Sequence, residues 1–250
     1  MLKMDCITQI FISSYEYQKL SKVLEYSTGT VKYNYPECEY TLYNDSMIKD
    51  FITVHYDREV FWAYETLNSY AAKSDLARYC ISYIKGGWYI DSTIRMLSRI
   101  DNYKDFDLIC FYDNGSTQPG RPKFGLQQSL YYVKKNNIII EKSIETVIRN
   151  CKNKFYGDLP CNPTGPGVFG LSYMKHGWNI GNVSEGTFQQ LTPFHQNKNR
   201  SYVLENGNVI AQHKCAWHSS NISDFGMAGV NDYVKMWNDQ NFYGEKNINS

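Results

Sequence analysis

Hydrophobic positions along the chain switch between short apolar runs and helical spacing, a succession of strands and helices. Residues 7–12, ITQIFI, are apolar and β-branched at the ends of the run and predict a buried first strand. Helical spacing follows over residues 15–26, and residues 38–43 predict a second strand. Asp45 or Ser46 stands where it would cap a helix running through Val54. Over residues 63–85 the apolar positions Ala72, Leu76, Tyr79, Cys80, Tyr83 and Ile84 recur at helical intervals, which predicts one long helix. Gly86-Gly87 supplies the left-handed stop that a helix end favours, and Trp88-Tyr89-Ile90 then predicts a short strand delivering Asp91 at its carboxyl end. Further on, residues 106–112 predict a buried strand, whereas residues 126–135 and 138–152 show helical spacing. The segment GDLPCNPTGPGVFG predicts a shaped loop, and Asn206-Gly207 between two β-prone runs predicts a hairpin. No linker divides the chain, so the expectation is one domain over residues 1–250 with a polar tail, about 243–250, that frays.

Composition narrows the function. Twenty-six basic and 25 acidic residues are mixed along the chain and leave a net charge of +1, which gives no field for gripping a phosphate backbone. Nucleic acid is therefore excluded as the expected partner. The aromatic content of 16%, with 22 tyrosines, supplies flat faces with polar tips that suit sugars and bases, although most such rings simply complete a globular surface. Seven scattered cysteines with no C-x-x-C pair predict a reducing compartment and no structural zinc. The first residues are too polar for an export signal, and no apolar stretch approaches the ~20 residues of a membrane span, so the expected location is cytoplasmic.

One constellation carries chemistry. Asp75 and Arg78 lie three residues apart on one helix face, where alone they would read as a solvated ion pair. The continuation through Gly86-Gly87 and an aromatic strand to Asp91 changes that reading, because ligands in open α/β sheets sit beyond the carboxyl ends of strands.

The stretch AAKSDLARYCISYIKGGWYIDST resembles the hallmark of glycosyltransferase family thirty-two, whose sugar-binding region carries a DXD motif. CITQIFIS is similar to that family's opening strand, with Phe11 where an aromatic ring stacks on the nucleotide base. NPTGPGVF resembles its TGP loop at Thr164, Gly165 and Pro166, and QHKCAWH resembles its C-terminal element with His213 and Trp217. The resemblance implies a GT-A fold, an α/β Rossmann-like sandwich with a central, mostly parallel sheet. It implies a nucleotide-sugar donor, UDP- or GDP-linked, a divalent metal (Mn²⁺ or Mg²⁺), and hexose transfer with retention to a glycan or lipid-linked glycan acceptor. A lipid-linked acceptor would draw the protein to a membrane surface. The resemblance also implies the site: Asp75, Arg78 and Asp91 as catalytic residues, Phe11, Asp75, Arg78, Gly86, Gly87 and Trp217 on the donor, and Asp91, Thr93 and His213 on the metal. Thr93 stands where the family has its second aspartate, giving D-S-T for DXD, which removes one negative charge from the metal site. The alternative is a nucleotide-sugar- or glycan-binding protein that keeps the fold without catalysis.

Overall fold

The computed structural model describes residues 5–15, 19–114, 125–191, 200–213 and 222–245. In chain order the elements are β1 (Cys6–Ile10), α1 (Lys22–Asn34), β2 (Glu39–Tyr43), α2 (Asp45–His55), α3 (Arg58–Thr66), α4 (Tyr70–Lys85), β3 (Gly87–Ile90) and β4 (Ile94–Met96). They continue as β5 (Leu108–Asp113), β6 (Leu126–Val133), α5 (Ile138–Lys152), α6 (Pro166–His176), β7 (Val183–Gln190), β8 (Arg200–Leu204), β9 (Val209–His213) and α7 (Tyr233–Asn238).

The strands form one sheet in the order β2-β1-β3-β6-β5-β7-β8-β9-β4. Only the β1–β2, β1–β3 and β5–β7 ladders are parallel, so the sheet is mixed and the mostly parallel one expected is not found. What survives of that expectation is direction: β1, β2, β3, β5, β7 and β9 all run the same way, with antiparallel β6 and β8 between some of them. Their carboxyl ends share one edge. The sheet also coils back on itself, because β4 pairs with β9 at the far end of the order yet follows β3 after a three-residue turn.

Two apolar cores flank the sheet. Helices α2 to α6 cover one face through Ile48, Leu76, Ile81, Val147 and Phe169, while the inside of the coil is packed with Trp88, Ile94, Phe111, Tyr132, Phe188 and Tyr202. Burying rings and branched side chains of this size contributes roughly 1.5–3 kcal/mol each. Among the described residues no helix is long and apolar enough to cross a membrane.

Several elements depart from the pattern read along the sequence, each for a local reason. The first helix starts at Lys22, because the Ser21 side chain accepts from the Leu24 amide and fixes the entry. Asn44, not Asp45 or Ser46, caps α2 by accepting from the Met47 amide at 2.9 Å. The long helix over 63–85 is two: extended Leu67 ends α3, and Ser69 caps α4. Residues 126–133 are not helical but a central strand, β6, with every residue buried between β3 and β5. A strand covered on both faces does not alternate, so its apolar residues fell at helix-like intervals. The shaped loop is shorter than expected, since Pro166 occupies the first turn of α6, where its missing N–H costs nothing.

Gly86 and Gly87 do what the pattern asked, at φ +66° and +92°. A Cβ on Gly87 would lie 2.1 Å from the Cys6 carbonyl oxygen in the neighbouring strand, so backbone would have to move. Gly87→Ala is expected to lower unfolding stability by about 3 kcal/mol or more in thermal or denaturant melts. A loss below about 1 kcal/mol would contradict this close approach.

Candidate active site

The shared carboxyl edge brings chemistry-bearing residues into a row. Phe11 follows β1, Asn44 follows β2, Asp91 follows β3, Asp113 ends β5 and His213 ends β9. The helix α4 lies against the sheet beneath them and contributes Asp75 and Arg78.

Asp75, Arg78 and Asp91 converge. The Arg78 guanidinium reaches Asp75 Oδ1 with Nη2 at 3.0 Å and Asp91 Oδ1 with Nη1 at 3.3 Å. It also donates to the Gln128 carbonyl at 3.0 Å and the Ser74 carbonyl at 3.2 Å, and lies 4.5 Å over the Tyr89 ring. Arg78 is thus a clamp between two carboxylates, 5% exposed, rather than a free cation. Asp91 is the more accessible member, its side chain 28% exposed, and it accepts from Tyr89 Oη at 2.6 Å.

Asp75 sits in a prepared nest. Gln128 Nε2 donates to Oδ1 at 2.6 Å and Thr164 Oγ1 to Oδ2 at 2.7 Å, while the Tyr79 hydroxyl bonds the other end of the Gln128 amide. Burial pushes the Asp75 carboxyl up to about 6 from 3.8, against the opposing pull of Arg78 and the two donors. Burial pulls the Arg78 guanidinium down, but its neighbours Tyr89, Asp91 and Asp75 together push it up from its ordinary range.

The turn after β3 carries Ser92 and Thr93, both buried, and is closed by the Ile94 amide donating to the Asp91 carbonyl at 2.9 Å. Since Ile94 pairs with His213, the coil of the sheet brings the end of β9 within one turn of Asp91. Thr93 and His213 are therefore on the Asp91 side of the row, while Trp217 lies outside the described residues. Gly86 and Gly87 are not brought together with them. They stand at the amino end of β3, roughly 13 Å along the strand from Asp91. Among the described residues no three His, Cys, Asp or Glu side chains converge into a closed metal cage.

Beside this cluster a cleft of about 720 Å³ opens at the ends of β1 and β2, lined by Phe11, Tyr15, Leu42, Tyr70, Lys49 and Lys73 among others. Its floor is tied to the C-terminal segment: Asn231 accepts from the Tyr70 amide at 3.0 Å and donates to the Asn68 carbonyl at 2.9 Å.

Gln128, Tyr79, Tyr89 and Gln9 were not legible as site residues in the sequence. Gln9 donates to the Asp91 carbonyl at 3.3 Å and accepts from Tyr40 Oη at 2.7 Å, which fixes the backbone of the turn. The one available signal was the polar triplet Gln127-Gln128-Ser129 inside an otherwise apolar run, hidden once that run was read as a helix.

An α/β fold whose strand ends present a clamped pair of carboxylates, with a cleft at the ends of two neighbouring strands, has the arrangement of a ligand-binding site in an open α/β sheet. Residues 21–113, from α1 to β5, match the family model described as a glycosyltransferase sugar-binding region containing a DXD motif, and over that stretch the chain is similar to that family. An uncharacterized glycosyltransferase, L373 of Acanthamoeba polyphaga mimivirus, is 26% identical over 164 residues, which cover 61% of this chain and 62% of that protein. The match thus spans less than two thirds of the relative's length. Among solved structures, the PaToxG glycosyltransferase aligns with a TM-score of 0.51 and 18% identity over 69% of each chain, a likeness of fold.

Proposed function

We propose that the chain is a GT-A glycosyltransferase, one domain over its length and of family-thirty-two type, that moves a hexose with retention from a nucleotide-sugar to a glycan hydroxyl. The observation that supports this best is the Asp75–Arg78–Asp91 cluster at the strand ends beside the Phe11 cleft.

In this reading Phe11 stacks on the base, which places the diphosphate toward Asp91 and the hexose over Asp75 and Arg78. Asp75, already held by Gln128 and Thr164, has acceptor lone pairs left for sugar hydroxyls. Arg78 keeps both carboxylates at fixed spacing, so that the donor meets a preorganised site. The acceptor oxygen bonds to the anomeric carbon as the bond to the β-phosphate oxygen breaks, and the acceptor's proton passes to that leaving phosphate. Asp91, Thr93 and His213 are the residues that would hold a divalent cation, Mn²⁺ or Mg²⁺. One carboxylate, one hydroxyl and one imidazole fit an ion that takes its remaining ligands from phosphate and water. When bound, such a cation neutralises charge on the departing diphosphate. Trp217 would donate to the diphosphate.

A second reading, a nucleotide-sugar-binding protein without turnover, draws on Thr93 in place of the second aspartate. One experiment separates the two. UDP- and GDP-sugars are offered with manganese and a panel of glycan acceptors, and released nucleotide is measured for wild type and Thr93→Asp. The expected result is release by wild type, with manganese affinity about tenfold tighter in the variant from the added charge. Stabilisation by a nucleotide without release from either protein would leave the binding reading standing and sink the transferase.

A further inference from the structure

Gln128 is a buried amide on the central strand β6, 6% exposed. Its neighbours Gln127 and Ser129 bond Asp113 and Tyr202, whereas Gln128 turns to α4 and meets three of its residues. Nε2 donates to Asp75 Oδ1 at 2.6 Å, Oε1 accepts from the Tyr79 hydroxyl, and the backbone carbonyl accepts from Arg78 Nη1 at 3.0 Å. Asp75, Arg78 and Tyr79 stand at i, i+3 and i+4, so one residue of the sheet keys the face of α4 that carries the site. The amide has one orientation open to it. An ionised carboxylate only accepts, so the –NH₂ must face Asp75, which leaves the oxygen for Tyr79. The loop before α6 closes on the same amide: a Cβ on Gly165 would lie 3.3 Å from Gln128 Nε2 and 2.8 Å from the Cys161 carbonyl oxygen.

Docking of α4 does not require these bonds. Leu76, Ala77, Cys80 and Ile81 already bury the helix in the core, and a methionine of similar length would fill the place of Gln128 without an amide to satisfy. What apolar contacts leave open is the direction of the Asp75 oxygens. Beside Arg78 alone, a carboxylate is free to turn both oxygens to the guanidinium fork. With Gln128 and Arg78 sharing Oδ1, and Thr164 on Oδ2, the acceptor capacity left for a ligand lies on Oδ2. We propose that Gln128 is the positioning residue of the donor site, holding Asp75 and Arg78 in a fixed arrangement that receives the donor's sugar, with Tyr79 locking its amide. This role rests on the donor reading above and adds the residue that orients the sugar-facing pair.

Calorimetric titration of the whole chain with UDP, GDP, UDP-glucose and GDP-mannose, each with manganese present, tests it. Gln128→Met is expected to weaken the nucleotide-sugar that wild type binds by about tenfold, the effect of one hydrogen bond to a charged group, and to leave the matching free nucleotide within about twofold. A thermal melt checks the fold, which should hold because the Tyr79 hydroxyl can turn to the Thr164 and Gly165 carbonyls, 3.3 and 3.4 Å away. Tyr79→Phe removes the donor on Oε1 and keeps the bond to Asp75, so it should weaken the nucleotide-sugar about threefold with free nucleotide unchanged. It decides the question if Gln128→Met does not fold, and unchanged nucleotide-sugar affinity there would then overturn the proposal. Nucleotide-sugar affinity equal in wild type and Gln128→Met would overturn the positioning role while keeping the donor site. Equal losses for nucleotide and nucleotide-sugar would overturn it too, since they would reflect the fold alone. Failure of wild type to bind any of the four ligands would overturn the donor reading and this inference together.

Discussion

Asp91→Asn should cut nucleotide release from the preferred donor by about 10²–10³-fold while leaving the protein folded. The magnitude follows from the proposed role of the carboxylate at the end of β3: it would help hold the divalent cation that meets the departing diphosphate, and losing one preorganised electrostatic contact of this kind costs about 3–4 kcal/mol of barrier. Folding should survive, because the asparagine oxygen still accepts from Tyr89 Oη and Arg78 keeps Asp75 and two backbone carbonyls. The effect belongs in kcat more than in donor KM, since the charge it answers forms as the bond breaks. The measurement is steady-state nucleotide release with manganese, paired with a melt. Turnover within about threefold of wild type would remove Asp91 from the chemistry.

The parts of this site that were legible share one property: their local pattern and their place in the fold agree. The paired glycines, the four-residue strand and Asp91 were readable because the stop, the strand and its terminal carboxylate are contiguous in sequence. Asp75 and Arg78 were readable because i,i+3 spacing fixes them on one face of α4 wherever the helix packs. The hairpin at Asn206-Gly207 came through for the same reason, and β8 and β9 flank it as expected.

What was illegible depends on contacts distant in sequence. Gln128 reaches Asp75 across 53 positions and Thr164 across 89, and neither interval carries a periodic signal. The direction of β6, and with it the mixed character of the sheet, is set by its two neighbours and not by its own composition. The coil that returns β4 to the side of β9 places His213 near the Asp91 turn, although 122 positions separate the two residues by their numbers. The C-terminal element of the resemblance, QHKCAWH, spans residues 212–218, of which 214–218 lie outside those described, so it adds only His213 to the geometry.

Arg78→Met should be the most damaging single change to stability, and its cost should depend on pH. Removing the guanidinium leaves the buried Asp75 carboxylate without its counter-charge, and breaking a buried pair from one side typically costs about 3–5 kcal/mol. In wild type, burial already raises Asp75 from 3.8 to about 6, so the native state holds its proton more tightly than the unfolded chain does. The sign follows from linkage: the contribution of this group is fully present below about 4 and is lost as pH rises through about 6. Without Arg78 the carboxyl loses the interaction that opposed burial, so its loss of stability continues to higher pH. The gap between wild type and variant should therefore be small near pH 4, where Asp75 is neutral in both, and widen toward pH 8. A residual gap at low pH is expected from the lost stacking on Tyr89 and the two unfilled carbonyls of Ser74 and Gln128. Adding Asp75→Asn to Arg78→Met should recover part of the stability at pH 8 and little at pH 4, because an uncharged amide needs no counter-ion. Denaturant melts of the three proteins across that range measure it directly. A gap of equal size at every pH would mean that Arg78 acts through packing alone, and the charge clamp joining the helix to the end of β3 would have to be given up.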